Sequence, residues 1–431
     1  MRGLAGQYPL DPKTTFALGT ALGRWILEKH ENPEVVIGMD TRESGPWIAA
    51  HVAGGLNREG VRARFAGLIT TPGIAHAART GPFAAGVMIS ASHNPYHDNG
   101  IKIIDHSGYK LADEREHDLE RGIFAFSGDV APVDLTVDEG LDREYIEHLA
   151  ATLPAGAPGL RMVVDGANGS ATYLAPALFE RLGAHVDRIC CAPDGKNINL
   201  HCGSLHLETV RQAVLDRGAD LGVAFDGDAD RALFVSHSGK IVDGDAVLLM
   251  CGRSMHRRGL LNEVVATVMS NLGLERALKR HGIGLVRTPV GDKYVLEEMI
   301  RRDCPLGGEQ SGHVIFRQYA TTGDGLLTAL RVIEVLRESN SDLDHLTSEL
   351  EIYPQLLVNV KVRNKRPLAE LPIVNEEIRR AESEFGDAGR VLVRFSGTEP
   401  LARVMVEGPE IGRVKHFAHS IAAAIENELG K

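Results

Sequence analysis

The sequence predicts a multidomain α/β protein, and three observations carry that expectation. At 431 residues the chain is longer than one core ordinarily serves, so about three or four domains are expected. Short β-branched runs alternate with turns and with helices of 3.6-residue periodicity, the rhythm of α/β layers. From about residue 359 the pattern changes to two strands split by a turn and flanked by helices, a small antiparallel α+β unit.

Taken in order, VVIGMD (35–40), WIAAHVAGGLNREG (47–60) and AAGVMIS (84–90) read as strand, helix and strand. RMVVDGANG (161–169) is a strand entering a Gly-rich turn, a helix follows at about 172–182, and ADLGVAFDGDADR (219–231) is a strand then a loop. A third block alternates again through EVVATVM, LGLERALKRHG, LVRTPVGDKYVLEEMIRR and TTGDGLLTALRVIEVLRES. In the last block NEEIRRAESEFG is a helix, RVLVRFSG and ARVMVEG are strands, and RVKHFAHSIAAAIENEL is a closing helix. No long Pro/Ser linker separates these blocks, so the domains are expected to pack directly around a shared cleft. Functional groups in such sheets are expected at strand ends.

The composition is that of an ordinary globular protein, 43% hydrophobic and 24% charged. A net charge of −11, from 58 acidic against 47 basic residues, argues against nucleic acid and anionic membranes as partners. An anionic ligand must then be held by local clusters. The opening MRGLAGQYPLDP carries no apolar signal core and no apolar run reaches 18 residues, so a cytoplasmic location is expected. Cys190, Cys191, Cys202, Cys251 and Cys304 show no CxxC spacing, and filling of the core is expected for most of them.

Two loops carry chemistry. In Asp226-Gly-Asp-Ala-Asp-Arg231, after an apolar strand, alternating residues can converge three carboxylates on one point, a hard-cation site. An EF-hand would need Gly and Glu where Arg231 and His237 stand, which excludes a Ca²⁺ loop. Carboxylates with room for a phosphate oxygen suit Mg²⁺, and Arg231 is placed to steady that phosphate. Ile89-Ser-Ala-Ser-His-Asn-Pro95 also follows a strand and presents Ser92 in a turn. No GxSxG elbow accompanies it, and His93 is its immediate neighbour, so Ser92 suits a phosphate carrier better than an acyl carrier. Phosphoryl transfer also needs a group to exchange a hydroxyl proton, for which Lys102 is the candidate.

ISASHNPYHDNGIKI, FDGDADR, GGEQSGH and RFSGTEPLARVMVEG, in this order, resemble the four signature segments of the α-D-phosphohexomutases. The resemblance spans the chain from about Arg2 onward. It implies three α/β domains (1–141, 142–243 and 244–358) and a C-terminal α+β domain (359–431) around a central cleft. It further implies a mutase, an intramolecular phosphotransferase working through a phosphoserine and a hexose 1,6-bisphosphate, which also serves as activator. Ser92 matches the phosphoserine and completes a metal site with Asp226, Asp228 and Asp230; Lys102 matches the general acid or base, with His93 beside it. Glu309 and Ser311 match sugar-hydroxyl contacts, and Lys293 and His313 fall among the substrate-binding residues. Arg394, Ser396, Gly397, Thr398 and Arg403 match the site of the phosphate that does not react.

Within the family, GEQSGH, VGDKYV, MSNLGL and ATTGDG look most like the branch acting on glucosamine phosphates, rather than the phosphomannomutase/phosphoglucomutase branch. That branch usually forms homodimers, and the first phosphoryl group on Ser92 can come from a kinase, from autophosphorylation or from a bisphosphate. Two other outcomes are a sugar-phosphate-binding protein without turnover and a phosphatase. The family's usual FGTDGIRG start is reduced to Arg2 and Gly3, so most of a first strand is missing and a frayed start is expected, leaving the aim of Ser92 in question.

Overall fold

The computed structural model describes residues 1–396 and 400–430. They form two compact units, one of Met1–Met269 with Ile283–Ser348, the other of Ser270–Gly282 with the chain from Glu349 onward.

The first unit begins with β1 (Arg2–Leu4), α1 (Pro12–Leu27), β2 (Glu34–Met39), α2 (Gly45–Arg58), β3 (Arg62–Leu68), α3 (Thr71–Thr80), β4 (Phe83–Ile89) and β5 (Asp98–Asp105). Asp11 caps α1 by accepting the Thr14 N–H at 3.0 Å, with Pro12 in the first turn, and Thr70 caps α3 in the same way. The sheet runs β1-β5-β4-β2-β3; β2 is parallel to β3 and β4, and β5 returns antiparallel to β4. Every residue of β4 is buried, as a central strand requires. Opposite the expectation of a frayed start, β1 pairs with β5 from Arg2↔Gly100 to Leu4↔Asp98. The Met1 amino group donates to Ile101 O at 3.1 Å and the Ile101 N–H donates to Met1 O at 2.9 Å, so backbone pairing ties the first residues down.

Glycines let α1 and α2 cross closely. A Cβ on Gly55 would stand 2.1 Å from Phe16 O, and one on Gly19 2.1 Å from Val52 O. Gly55→Ala is therefore expected to destabilise the protein by about 3 kcal/mol through overpacking. A lower urea midpoint would register it; an unshifted midpoint would mean that the two helices part without cost.

After α4 (Asp113–Phe124) and α5 (Gly140–Ala151) come β6 (Arg161–Asp165), α6 (Ala171–Arg181), β7 (His185–Ile189), α7 (Glu208–Arg217), β8 (Leu221–Phe225), β9 (Ala232–Ser236) and β10 (Ile241–Val242). This sheet, β10-β9-β8-β6-β7, repeats the plan: β6, β7 and β8 are parallel and β9 returns antiparallel to β8. The third block holds α8 (Gly244–Arg257), β11 (Glu263–Thr267), α9 (Leu272–Arg280), β12 (Gly284–Thr288), α10 (Asp292–Arg302), β13 (Leu306–Gly308), β14 (Val314–Phe316), α11 (Gly325–Ser339) and α12 (Leu343–Leu346). Its sheet is β12-β11-β13-β14, again with an antiparallel return from β13 to β14.

The second unit contains β15 (Gln355–Lys361), α13 (Pro372–Phe385), β16 (Arg390–Phe395), β17 (Leu401–Glu407) and α14 (Ile411–Leu429), with an antiparallel sheet β15-β17-β16. Helix α9 belongs to this unit although the chain places it between β11 and β12. The Leu272 N–H donates to the buried Glu407 carboxylate at 2.9 Å, and Asn271 Nδ2 donates to Tyr353 O at 2.9 Å. Three times in the first unit, then, a buried strand ends in a loop and the chain returns antiparallel. The serine, acidic and GEQSGH segments occupy these loops.

Candidate active site

Ser92 lies between β4 and β5, 4% exposed, with φ of 52° in the left-handed region. That conformation is unfavourable for a residue with a side chain and persists only where its surroundings enforce it. Here they do so through the backbone. The Ser90 hydroxyl accepts the Ser92 N–H at 2.9 Å. Arg42 Nη2 donates to Ser92 O at 3.2 Å and to Asn94 O at 2.6 Å, and Asn199 Nδ2 donates to the same two carbonyls at 2.9 and 3.1 Å. The Arg42 side chain is wholly buried and ion-paired with the equally buried Asp40. Burial holds the Asp40 carboxyl above the usual range, and Arg42 draws it partly back.

The Ser92 hydroxyl donates to Asp226 Oδ2 at 2.5 Å, which joins the serine loop to the acidic loop between β8 and β9. One carboxylate oxygen from each of Asp226, Asp228 and Asp230 lies within 4.8 Å of the others, and all three residues are buried. Asp228 Oδ1 and Asp230 Oδ1 are buried without a hydrogen bond. Buried carboxylates with vacant lone pairs are costly unless a cation takes them, so this donor set fits a hard divalent ion. Burial, then Asp230 and Asp228, hold the Asp226 carboxyl well above the usual range. At Asp230 burial acts in the same sense, but Lys102 and His313 outweigh it and bring the group well below that range. Thr71, first in α3, fastens the loop: its N–H donates to Asp228 O at 3.0 Å and its hydroxyl to Asp228 Oδ2.

Lys102 stands on β5 opposite Met88 and reaches the acidic loop, 2.5 Å from Asp228 Oδ2 and 3.4 Å from Asp230 Oδ2. Burial opposes its charge, but the two carboxylates prevail and hold the ammonium above its ordinary value. His93 Nδ1 is 3.4 Å from Ser92 Oγ. Burial, then the charges of Arg231 and Arg2, hold this imidazole below its ordinary value. Arg231 Nε is 3.8 Å from Asp230 Oδ1, and its N–H donates to Asp226 Oδ1 at 3.2 Å.

The GEQSGH loop joins β13 to β14 and abuts the acidic loop, the Ala232 N–H donating to Gly312 O at 3.1 Å. Glu309 is half-buried; its Oε1 accepts the Gly291 N–H at 3.2 Å and its Oε2 the Ser311 hydroxyl at 3.4 Å. His313 is buried, with Nδ1 3.6 Å from Asp230 Oδ1 and Nε2 accepting the Gly323 N–H at 3.1 Å, so it braces the acidic loop. Lys293 is turned to Asp113 at 2.5 Å and Glu297 at 3.9 Å on the surface.

In the second unit Arg394 and Arg403 face each other across β16 and β17. Burial and the neighbouring Arg403 charge lower the Arg394 guanidinium from its ordinary value. Like charges directly opposed on a sheet are unfavourable, and an anion between them would relieve the repulsion. The Ser396 N–H donates to Leu401 O at 2.8 Å and its carbonyl accepts Lys365 Nζ at 2.5 Å. Gly397 and Thr398 lie outside the described residues. Sequence reasoning missed Asp40, Arg42, Thr71 and Asn199; the one signal was Asp40-Thr-Arg42 directly after an apolar strand, the position that Ser92 also occupies.

With a buried serine on a carboxylate triad, on sheets of this plan, comparison with known proteins is decisive about the class. Four models match in order: phosphoglucomutase/phosphomannomutase alpha/beta/alpha domain I over 1–127, domain II over 143–239, domain III over 243–353, and the C-terminal domain over 357–424. The chain belongs to the phosphoglucomutase/phosphomannomutase family, the phosphohexomutases. It is 59% identical to a phosphoglucosamine mutase of Solibacter usitatus (strain Ellin6076), covering 100% of this chain and 98% of the relative. A phosphoglucosamine mutase of Koribacter versatilis (strain Ellin345) is 49% identical over 100% of this chain and 96% of its own length. Among solved structures, a phosphoglucomutase/phosphomannomutase family protein from Burkholderia thailandensis superposes with a TM-score of 0.84 at 24% identity, covering 99% of this chain and 96% of that one. An Aspergillus fumigatus N-acetylphosphoglucosamine mutase, in complex with GlcNAc-6P and magnesium, shares the fold with a TM-score of 0.68 at 18% identity over 99% of this chain and 94% of its own. Among the described residues no helix is long and apolar enough to cross a membrane.

Proposed function

We propose that this chain interconverts glucosamine 6-phosphate and glucosamine 1-phosphate, with Ser92 as the phosphoryl carrier. The observation that carries the reading is the Ser92 hydroxyl, 2.5 Å from Asp226 in a buried triad in which Asp228 Oδ1 and Asp230 Oδ1 have no hydrogen-bond partner. The identities of 59% and 49% to proteins described as phosphoglucosamine mutases support the choice of sugar. Asp226, Asp228 and Asp230 would hold Mg²⁺, which neutralises charge on a transferring phosphoryl group.

In the forward half-reaction the bond from phosphorus to Ser92 Oγ breaks as one forms to the free sugar hydroxyl, giving the 1,6-bisphosphate. The bisphosphate reverses end for end, and its other phosphoryl group returns to Ser92. Lys102, kept charged by the carboxylates beside it, donates a proton from Nζ to the departing Ser92 Oγ and regains one from the sugar hydroxyl, so the hydroxyl proton ends on the serine. Arg231 steadies the reacting phosphate, with His93 beside the carrier. Glu309 and Ser311 bind sugar hydroxyls, His313 braces the acidic loop behind them while Lys293 stays in its surface ion pair with Asp113, and Arg394, Ser396, Gly397, Thr398 and Arg403 take the phosphate that does not react. The family resemblance extends the proposal to a cytoplasmic homodimer, first phosphorylated by a bisphosphate activator or by a kinase.

Side-by-side kcat/KM values for the 6-phosphates of glucosamine, mannose and glucose test the substrate. Glucosamine 6-phosphate is expected to exceed both others by at least about tenfold, the differential that one charge-assisted hydrogen bond supplies. A higher value for mannose or glucose would assign the chain to the other branch. Glu309→Gln is expected to lower kcat/KM by about 10- to 100-fold, from the loss of a hydrogen bond to a charged acceptor. Unchanged constants for every sugar phosphate would remove Glu309 from the sugar site.

A further inference from the structure

A second convergence of ligand atoms lies on the loops that support Ser92. Asp165 ends β6 and is fully buried, Cys190 follows β7 with φ of 47° and is half-buried, and Cys202 is 1% exposed. One carboxylate oxygen and the two sulfurs lie within 4.8 Å of one another, and both thiols are free. These cysteines differ from one that fills core space. Cys304 Sγ approaches two backbone carbonyl oxygens, each at 3.2 Å, whereas Cys190 and Cys202 face each other and a carboxylate.

Asp165 accepts the Ala167 N–H and the Gly203 N–H, each at 2.9 Å, and among the described residues no basic side chain pairs with it. Burial pushes its carboxyl up to about 6. The Cys190 and Cys202 thiols share a hydrogen bond, which lowers the Cys190 thiol from its ordinary value and, together with burial, raises the Cys202 thiol. Two Zn–S bonds of about 2.3 Å at a tetrahedral angle place their sulfurs about 3.8 Å apart, a span this cluster accommodates.

We propose that Asp165, Cys190 and Cys202 form a binding site for a thiophilic divalent cation such as Zn²⁺, separate from the hard-cation site of Asp226, Asp228 and Asp230. Three protein ligands leave a fourth position for water, and binding releases the thiol protons. The cation bridges the ends of β6 and β7 to the segment before Gly203. Asn199 in that segment accepts backbone support, its N–H donating to Ala167 O at 2.8 Å, and its side chain holds the Ser92 carbonyl.

The test uses the full-length protein, reduced and freed of metal by a chelator, then supplied with excess Mg²⁺ and titrated with Co²⁺ as the probe. A thiolate-to-cobalt charge-transfer band is expected to grow to one equivalent per chain and to vanish when Zn²⁺ is added. Cys190→Ser and Cys202→Ser should abolish it, while Cys251→Ser and Asp226→Asn should retain it. Asp165→Asn should weaken Co²⁺ binding at least tenfold. Because Cys202 is packed in the core, Cys190→Ala at the half-buried position serves as the second variant, with its thermal midpoint measured alongside. Absence of the band in the parent protein, or its survival in both the Cys190 and Cys202 variants, would overturn the site.

Discussion

Ser92→Ala is expected to abolish turnover, by roughly 10⁴-fold or more, while leaving the fold in place. The substitution removes only the hydroxyl, and with it the bond to Asp226 Oδ2. The left-handed backbone at residue 92 depends on Ser90, Arg42 and Asn199, which act on its N–H and carbonyl and do not touch the deleted atom. A coupled assay for the 1-phosphate should therefore read zero on a protein whose thermal midpoint is close to the parent's. A variant with near-parental rate would remove the carrier role from Ser92 and leave the acidic loop without its reacting partner.

Arg42→Met is expected to cost the protein much of its stability. It leaves Asp40 buried without its counter-charge, and breaking a buried ion pair from one side costs about 3–5 kcal/mol. It also takes one of two donors from Ser92 O and Asn94 O, leaving Asn199 alone to hold them. The loss should depend on pH with a definite sign. Burial already raises the Asp40 carboxyl in the folded protein, and without Arg42 it rises further. The folded state then binds this proton more tightly than the unfolded state, so stability falls as pH climbs from the ordinary carboxylate range to the raised value. Urea unfolding should show a smaller deficit at acid pH than at neutral pH. Equal deficits at both, or full stability in Arg42→Met, would show that the pair does not carry the charge argument.

The four signature loops were legible because each joins residues whose chemistry makes sense only together: a serine, alternating aspartates, a Glu-Ser pair and paired arginines. The return strands were not. β13 and β14 have three residues each, too short for alternation to register, and β5 opens with Asp98-Asn-Gly, which reads as turn. Those strands nevertheless explain why the loops share one plan, since each reversal projects its residues beyond a sheet end. Periodicity identified α9 as a helix but carries no information about which unit it packs in. Arg42 was hidden for a related reason: a charged residue in Asp-Thr-Arg reads as solvated turn, and only the fold reveals the carbonyls it faces. Residues 165, 190 and 202 are too far apart in sequence for any ligand-spacing rule, and β6 and β7 bring the first two together as parallel neighbours. The expected fraying at Arg2 failed because its partner, β5, was itself unseen.

As phosphoryl carrier, Ser92 would give its phosphoryl group to a sugar phosphate and receive one back. Enzyme carrying labelled phosphate on Ser92, mixed with unlabelled glucosamine 6-phosphate and Mg²⁺ in a single turnover, tests it most directly. Label is expected to leave the protein for the 1,6-bisphosphate and then to appear in the glucosamine monophosphate pool, with no matching release of inorganic phosphate. Label that stays on the protein, or that emerges as inorganic phosphate, would contradict it.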